Sequence, residues 1–179
     1  PTTAERLCEF AHEIGLPPGV LNVVHGLGAK AGAAIVAHRG INTLSFTGGT
    51  VTGAEVARVA APLFKKVGLE LGGKNPTLVF ADADLAEAIP ACVQAAFGNQ
   101  GQICLCGSRI LVEESIYETF VEKFVAIARN LVVGDPLDPA TQQGSLISKT
   151  HWEKVRGHVD RAVAEGGKLL CGGTVPNLP

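Results

Sequence analysis

Apolar positions in the opening segment recur at helical intervals. Leu7, Phe10, Ala11 and Ile14 stand at i, i+3, i+4 and i+7, which is one face of a helix that Thr3 is placed to cap and Gly15 to end. Pro17-Pro18-Gly19 is a turn, and Val20-Leu21-Asn22-Val23-Val24 reads as a strand. A small-residue helix is predicted from about Ala29 to His38, a strand over Thr43–Phe46, a helix opened by Thr47-Gly48-Gly49-Thr50 and running to about Ala61, and a third strand over Val67–Leu71. Strand, helix, strand, helix, strand is the rhythm of a parallel sheet with crossover helices.

The pattern changes after Gly72-Gly73-Lys74-Asn75-Pro76. Thr77–Phe80 reads as a short strand, and Asp84 with Glu87 forms a capping box for a helix through Phe97, with a bend expected at Pro90. A strand at Arg109–Val112 follows. Ser115 and Glu118 predict a second capping box, for a helix whose apolar face is Ile116, Phe120, Phe124, Ile127 and Leu131. Turn residues make 134–144 a surface loop, a last helix runs from Lys149 to Glu165, and Lys168–Cys171 reads as a strand. The division expected is therefore 1–71, half of a sheet-based domain, and 72–179, the first part of another. Both ends look cut, as in an internal piece of a longer protein.

Composition narrows the function classes. With 46% hydrophobic and 18% charged residues and a net charge of −2, the chain is of ordinary globular type. Its 15 basic residues are scattered, and one Trp and one Tyr leave little for base stacking, so nucleic acid is not an expected partner. No run is long enough to span a bilayer, and no basic-then-apolar leader opens the sequence, so neither membrane nor secretion is expected. Five cysteines suit a reducing, cytoplasmic setting. Cys104-Leu105-Cys106 has no second ligand pair at zinc spacing, and no metal is expected.

Candidate chemistry lies in three places. In Phe97-Gly98-Asn99-Gln100-Gly101-Gln102-Ile103-Cys104-Leu105-Cys106, a thiol sits on a tight loop between a helix end and a strand. It is either a cleft nucleophile or a small buried residue. Gly26-Leu27-Gly28-Ala29-Lys30-Ala31 fits the alanine-ended dinucleotide fingerprint, without the acidic residue expected about 20 positions on. The turn Phe46-Thr47-Gly48-Gly49-Thr50 leaves backbone N–H groups at a helix start. Either turn is equally well read as phosphate cradle or as tight packing. Glu70, between glycines in Gly68-Leu69-Glu70-Leu71-Gly72-Gly73, is expected to be partly desolvated and so suited to general-base work, or else to be an exposed strand carboxylate.

Leu69-Glu70-Leu71-Gly72-Gly73-Lys74-Asn75-Pro76 and the cysteine stretch, with Glu70 and Cys104 34 residues apart, resemble the glutamate and cysteine signatures of the NAD(P)-dependent aldehyde dehydrogenase superfamily. Upstream, Leu21–Gly28 and Phe46-Thr47-Gly48 extend the resemblance over essentially the whole chain. It implies an α/β fold: a parallel Rossmann-like portion of a cofactor domain, then part of an α/β catalytic domain. It implies Cys104 as nucleophile and Glu70 as general base. It also implies that Gly28, Phe46, Thr47, Gly48, Gly49, Thr50, Gly53, Leu71 and Gly72 line the dinucleotide, NAD with NADP an open alternative. The substrate would be a small aldehyde, and the parent protein a homodimer or homotetramer. Ile103–Arg109, Gly73–Pro76 and Gly144–Lys149 are similar to the branch that oxidises 2-aminomuconic and 2-hydroxymuconic semialdehydes.

One departure is Gly49, where the family has Ser. The segments that carry the family's oxyanion asparagine and its ribose-binding residues have no counterpart here, so the isolated piece is expected to be inactive. Two readings from other classes stand beside this one: a cysteine hydrolase using Cys104 with one of the five histidines, and a non-catalytic interaction module.

Overall fold

The computed structural model describes residues 2–175. The chain divides into two compact units, Pro1–Leu71 and Gly72–Pro179. In the first, helix α1 spans Thr2–Glu13 and ends on Gly15 in the left-handed conformation, φ 83°. The Leu16 N–H donates to Ala11 O at 2.9 Å and the Gly15 N–H to His12 O at 3.0 Å, the paired bonds of a glycine-stopped helix. Thr3 lies inside this helix rather than at its cap. Leu7, Phe10 and Ile14 share a face as the spacing requires, yet all three are exposed.

The strand expected at Val20–Val24 is not formed. A strand exists only through its ladder, and this stretch has no ladder partner among the described residues. A single turn of π-helix over Gly28–Gly32 then leads into α2, Ala33–Ala37.

Strand β1, Thr43–Gly48, feeds helix α3, Thr50–Ala60, which returns to β2, Lys66–Leu71; the two strands pair in parallel. A parallel pair needs such a crossover. Period-2 alternation turns Leu44, Phe46, Val67 and Leu69 toward the helix, where Val56 and Ala60 complete a small core. The sheet of this unit is two-stranded rather than three-stranded, because the first expected strand is missing.

The second unit repeats the logic. β3, Pro76–Val79, pairs in parallel with β4, Arg109–Val112, across helix α4, Leu85–Phe97. Asp84 caps α4 by accepting the Ala86 N–H at 2.9 Å, and the helix runs through Pro90 as one element. Helix α5, Tyr117–Arg129, lays Phe120 and Phe124 on Val79, Ile89 and Cys92. Ile89 is fully buried, a contribution of about 1.5–3 kcal/mol from area alone.

The cap expected from Ser115 is displaced. Its hydroxyl donates to Glu113 Oε1 at 3.0 Å, a 3-10 turn occupies Glu114–Ile116, and the α-helix starts at Tyr117. Helix α6 spans Lys149–Ala164; Ser148 caps it by accepting the His151 N–H at 3.1 Å, and Gly166, φ 97°, stops it. Lys168–Cys171 is irregular instead of a strand. Leu170 O accepts from the Arg129 guanidinium at 2.9 Å, so a side chain replaces a ladder there.

Candidate active site

In the second unit the loop after α4 is built on backbone that L-residues avoid. Asn99, Gln100 and Gly101 are all left-handed, with φ of 49°, 55° and 69°. The two non-glycine residues cost about 1–2 kcal/mol each, and such strain persists only where surrounding contacts hold it. A Cβ on Gly101 would come within 3.1 Å of Ala96 O, which adds a steric reason for glycine. The Gln102 N–H closes the turn on Asn99 O at 3.0 Å, and the Cys106 N–H closes the next on Ile103 O at 3.0 Å.

Cys104 lies within that second turn. Its side chain is exposed, whereas Cys106 is buried. The sequence left Cys104 open between cleft thiol and core thiol; the core position belongs to Cys106. Among the described residues the Cys104 backbone N–H has no hydrogen-bond partner, leaving a donor beside the thiol. After the turn, the Gly107 N–H donates to Ala95 O at 3.1 Å, and a Cβ on Gly107 would run into Thr77 Oγ1, so the chain re-enters β4 by a close approach that only glycine permits.

Three further hydrogen bonds hold this region. Arg109 donates from Nε to Lys74 O at 2.9 Å and from its backbone N–H to Asn75 O at 3.2 Å, fixing the 72–76 segment to the strand after the thiol. The Gln143 side chain donates from Nε2 to Phe97 O at 2.7 Å. Sequence reading missed Gln143 because it is 46 residues from its partner and in a loop that showed only turn residues.

In the first unit, register places Phe46 opposite Leu69, Thr47 opposite Glu70, and Gly48 opposite Leu71. The candidate cradle and the candidate base thus occupy the same end of one strand pair. Thr47 and Glu70 are on its exposed face; the desolvation expected for Glu70 is not found, because only the Val67, Leu69 and Leu71 face is covered. Gly49 caps α3 with no side-chain bond, so the first-turn N–H groups of Thr50 and Val51 face outward uncommitted at the positive end of the helix. A Cβ on Gly49 would touch nothing within 4 Å, leaving open space before those donors.

Gly53 is buried one turn on, and a Cβ there would come 2.6 Å from Leu71 Cδ2, so α3 sits close on β2 only because this residue is glycine. Uncapped donors, a small-residue turn and a close-set helix fit the pyrophosphate of a dinucleotide. Gly28 begins the π-turn, where the Lys30 and Ala31 N–H groups are both spent on Leu27 O at 2.9 Å. Gly72 opens the second unit.

A parallel α/β unit whose helix α3 starts on an uncapped glycine turn, followed by an α/β unit presenting an exposed thiol on a strained loop, is the arrangement the comparisons meet. The chain belongs to the aldehyde dehydrogenase family, whose model matches residues 1–178. It is 49% identical over 176 residues to the human 2-aminomuconic semialdehyde dehydrogenase, covering 98% of this chain and 36% of that protein. It is 50% identical over 179 residues to the Escherichia coli 5-carboxymethyl-2-hydroxymuconate semialdehyde dehydrogenase, covering 100% of this chain and 37% of the relative. The crystal structure of PnpE in complex with nicotinamide adenine dinucleotide superposes with a TM-score of 0.95 at 40% identity, over 99% of this chain and 36% of that one. The chain thus spans about a third of the length of the relatives it matches.

Proposed function

We propose that this chain carries the nucleophile, the base and part of the dinucleotide cradle of an NAD-dependent aldehyde dehydrogenase that releases a free carboxylic acid. The observation that carries the reading is Cys104, an exposed thiol in the turn that follows the left-handed Asn99–Gly101 segment, beside its own uncommitted N–H. Family membership and the NAD complex of PnpE support it.

In this reading the Cys104 thiolate attacks the aldehyde carbon, and the carbonyl oxygen takes the displaced electron pair. The Cys104 N–H supplies one donor to that oxyanion. NAD, when bound, provides the hydride acceptor that takes the carbon from thiohemiacetal to thioester. The α3 start, with Thr47, Gly48, Gly49 and Thr50, holds the pyrophosphate. Glu70 accepts a proton from water as the water oxygen attacks the thioester, freeing the acid and returning the Cys104 thiolate. A carboxylate on the exposed face of β2 has the water access this step needs.

The cysteine usage suits a cytoplasmic setting, and the resemblance implies a homodimer or homotetramer for the whole protein, which sedimentation of the full-length chain tests. The 179-residue piece alone, about a third of a relative, should give no turnover. The deciding experiment is rapid mixing of the full-length protein with NAD and a deuterium-labelled aldehyde. A first-turnover burst of labelled NADH that Cys104→Ala abolishes is expected, and an undiminished burst from that variant would remove Cys104 from the chemistry. A hydrolase would form no NADH at all.

A further inference from the structure

We infer that Gln143 is a positioning residue for the Cys104 thiol, an assignment that rests on reading Cys104 as the nucleophile. The geometry begins at the end of α4. A helix leaves its last carbonyls without α-helical donors, and Phe97 O is the last carbonyl of α4, at the entry to the left-handed Asn99–Gly101 segment. Gln143 Nε2 donates to that carbonyl at 2.7 Å from 46 residues away in sequence.

Gln143 is itself held from both sides. Its N–H donates to Val132 O at 3.0 Å, and its carbonyl accepts from the Gly134 N–H at 3.0 Å, a small bridge that fixes where the amide points. The adjoining Gly144 makes a second connection. With the Gln100 amide oriented oxygen-inward, that oxygen accepts the Gly144 N–H at 2.9 Å and the amide nitrogen donates to Asn99 O at 2.9 Å. A Cβ on Gly144 would stand 3.3 Å from the end of the Gln100 amide, so the two loops meet closely.

The 132–144 loop therefore grips the strained turn at its entry, Phe97, and at its middle, Gln100. Strained backbone keeps its conformation only when neighbours over-determine it, and these two hydrogen bonds reach the turn from a distant loop. Without Gln143, the turn relaxes and the thiol leaves its attacking position, while no contact with substrate is assigned to Gln143 itself. The signature expected is a loss in the chemical step with binding preserved.

The test uses the full-length protein with Gln143→Leu, which keeps the volume and removes the donor, and Gln143→His, whose Nε2–H reaches about as far. For Gln143→Leu we expect iodoacetamide alkylation of Cys104 and the NADH burst rate each to change by roughly ten- to hundredfold, the scale of a small misplacement, with aldehyde KM little moved. Amide exchange should quicken across 99–104 and stay unchanged in the first turns of α4, and Gln143→His should recover most of each loss. Wild-type alkylation and exchange in Gln143→Leu overturn the assignment. So does a uniform loss of protection across the second unit that Gln143→His fails to repair. Alkylation and exchange need no turnover, so failure of the dehydrogenase reading, seen as an undiminished burst in Cys104→Ala, is distinguishable from failure of this one.

Discussion

Thr47 on β1 lies directly across the parallel ladder from Glu70 on β2. Paired residues on neighbouring strands point to the same face, so the polar residue of the candidate cradle and the candidate base share one exposed surface, while Gly48 and Leu71 share the other. The two roles are thereby separable by mutation. Glu70→Gln in the full-length protein should preserve the NADH burst and slow steady-state turnover by about 10²–10⁴-fold, the range of general-base catalysis. Rapid-mixing kinetics reads both phases. Loss of the burst instead would make Glu70 the activator of the thiol.

The packing of α3 on β2 gives a second outcome. Gly53→Ala places a methyl carbon 2.6 Å from Leu71 Cδ2, closer than real contacts allow. The gain in helix propensity, about 1 kcal/mol, is set against overpacking of about 1–3 kcal/mol, so a net loss near 1 kcal/mol is expected. Because the displaced helix carries the uncapped N–H groups, NAD affinity should fall as well. Thermal melting and NAD titration check the two effects, and an unchanged affinity would detach the α3 start from the cofactor.

How much of this was legible in the chain follows from what sets each feature. Helices α1, α3, α4, α5 and α6 are local objects, written in periodicity, caps and glycine stops, and they form within a few residues of where the pattern puts them. Val20–Val24 and Lys168–Cys171 have strand composition without strand structure, because a ladder depends on a partner elsewhere that local pattern does not encode. Ser115 had the spacing of a cap but a better acceptor in Glu113, which already receives the Ala81 N–H at 2.8 Å. The thiol loop was visible through its glycines, yet its left-handed Asn99 and Gln100 and the long-range grip of Gln143 depend on tertiary contacts.

The cysteines should sort by environment. Cys104 is exposed, while Cys92 and Cys106 are buried, and burial pushes the Cys92 thiol up from its ordinary 9.0. Alkylation at pH 8 followed by peptide mass mapping should modify Cys104 and spare Cys92 and Cys106 until the protein is unfolded. The pH sign follows from proton counts. Between the unfolded and the raised folded value, the unfolded chain has lost a proton that the folded chain keeps, so stability falls as pH rises past about 9. Cys92→Ala should lack that component of the slope. Urea unfolding of both proteins from pH 7 to pH 10 measures the difference, and parallel curves would exclude burial as the cause.

Substrate is the remaining question, and charge is the way into it. A muconic semialdehyde carries a carboxylate, and enclosing it demands a cationic or strongly donating partner, since an unpaired buried charge is costly. The arginine nearest Cys104 in sequence is Arg109, and its Nε is already committed to Lys74 O at 2.9 Å, so it holds the 72–76 segment in place and is poorly disposed to meet substrate. The expectation is therefore a partner from the two-thirds of the relatives' length that this chain does not match. We therefore expect the full-length protein to prefer a muconic semialdehyde over an uncharged aliphatic aldehyde in kcat/KM, and Arg109→Lys to impair both substrates alike. The preference should weaken when the substrate carboxylate is esterified. Equal kcat/KM for the two aldehydes would end the muconic assignment, and a selective loss on the charged substrate in Arg109→Lys would return the carboxylate to this chain.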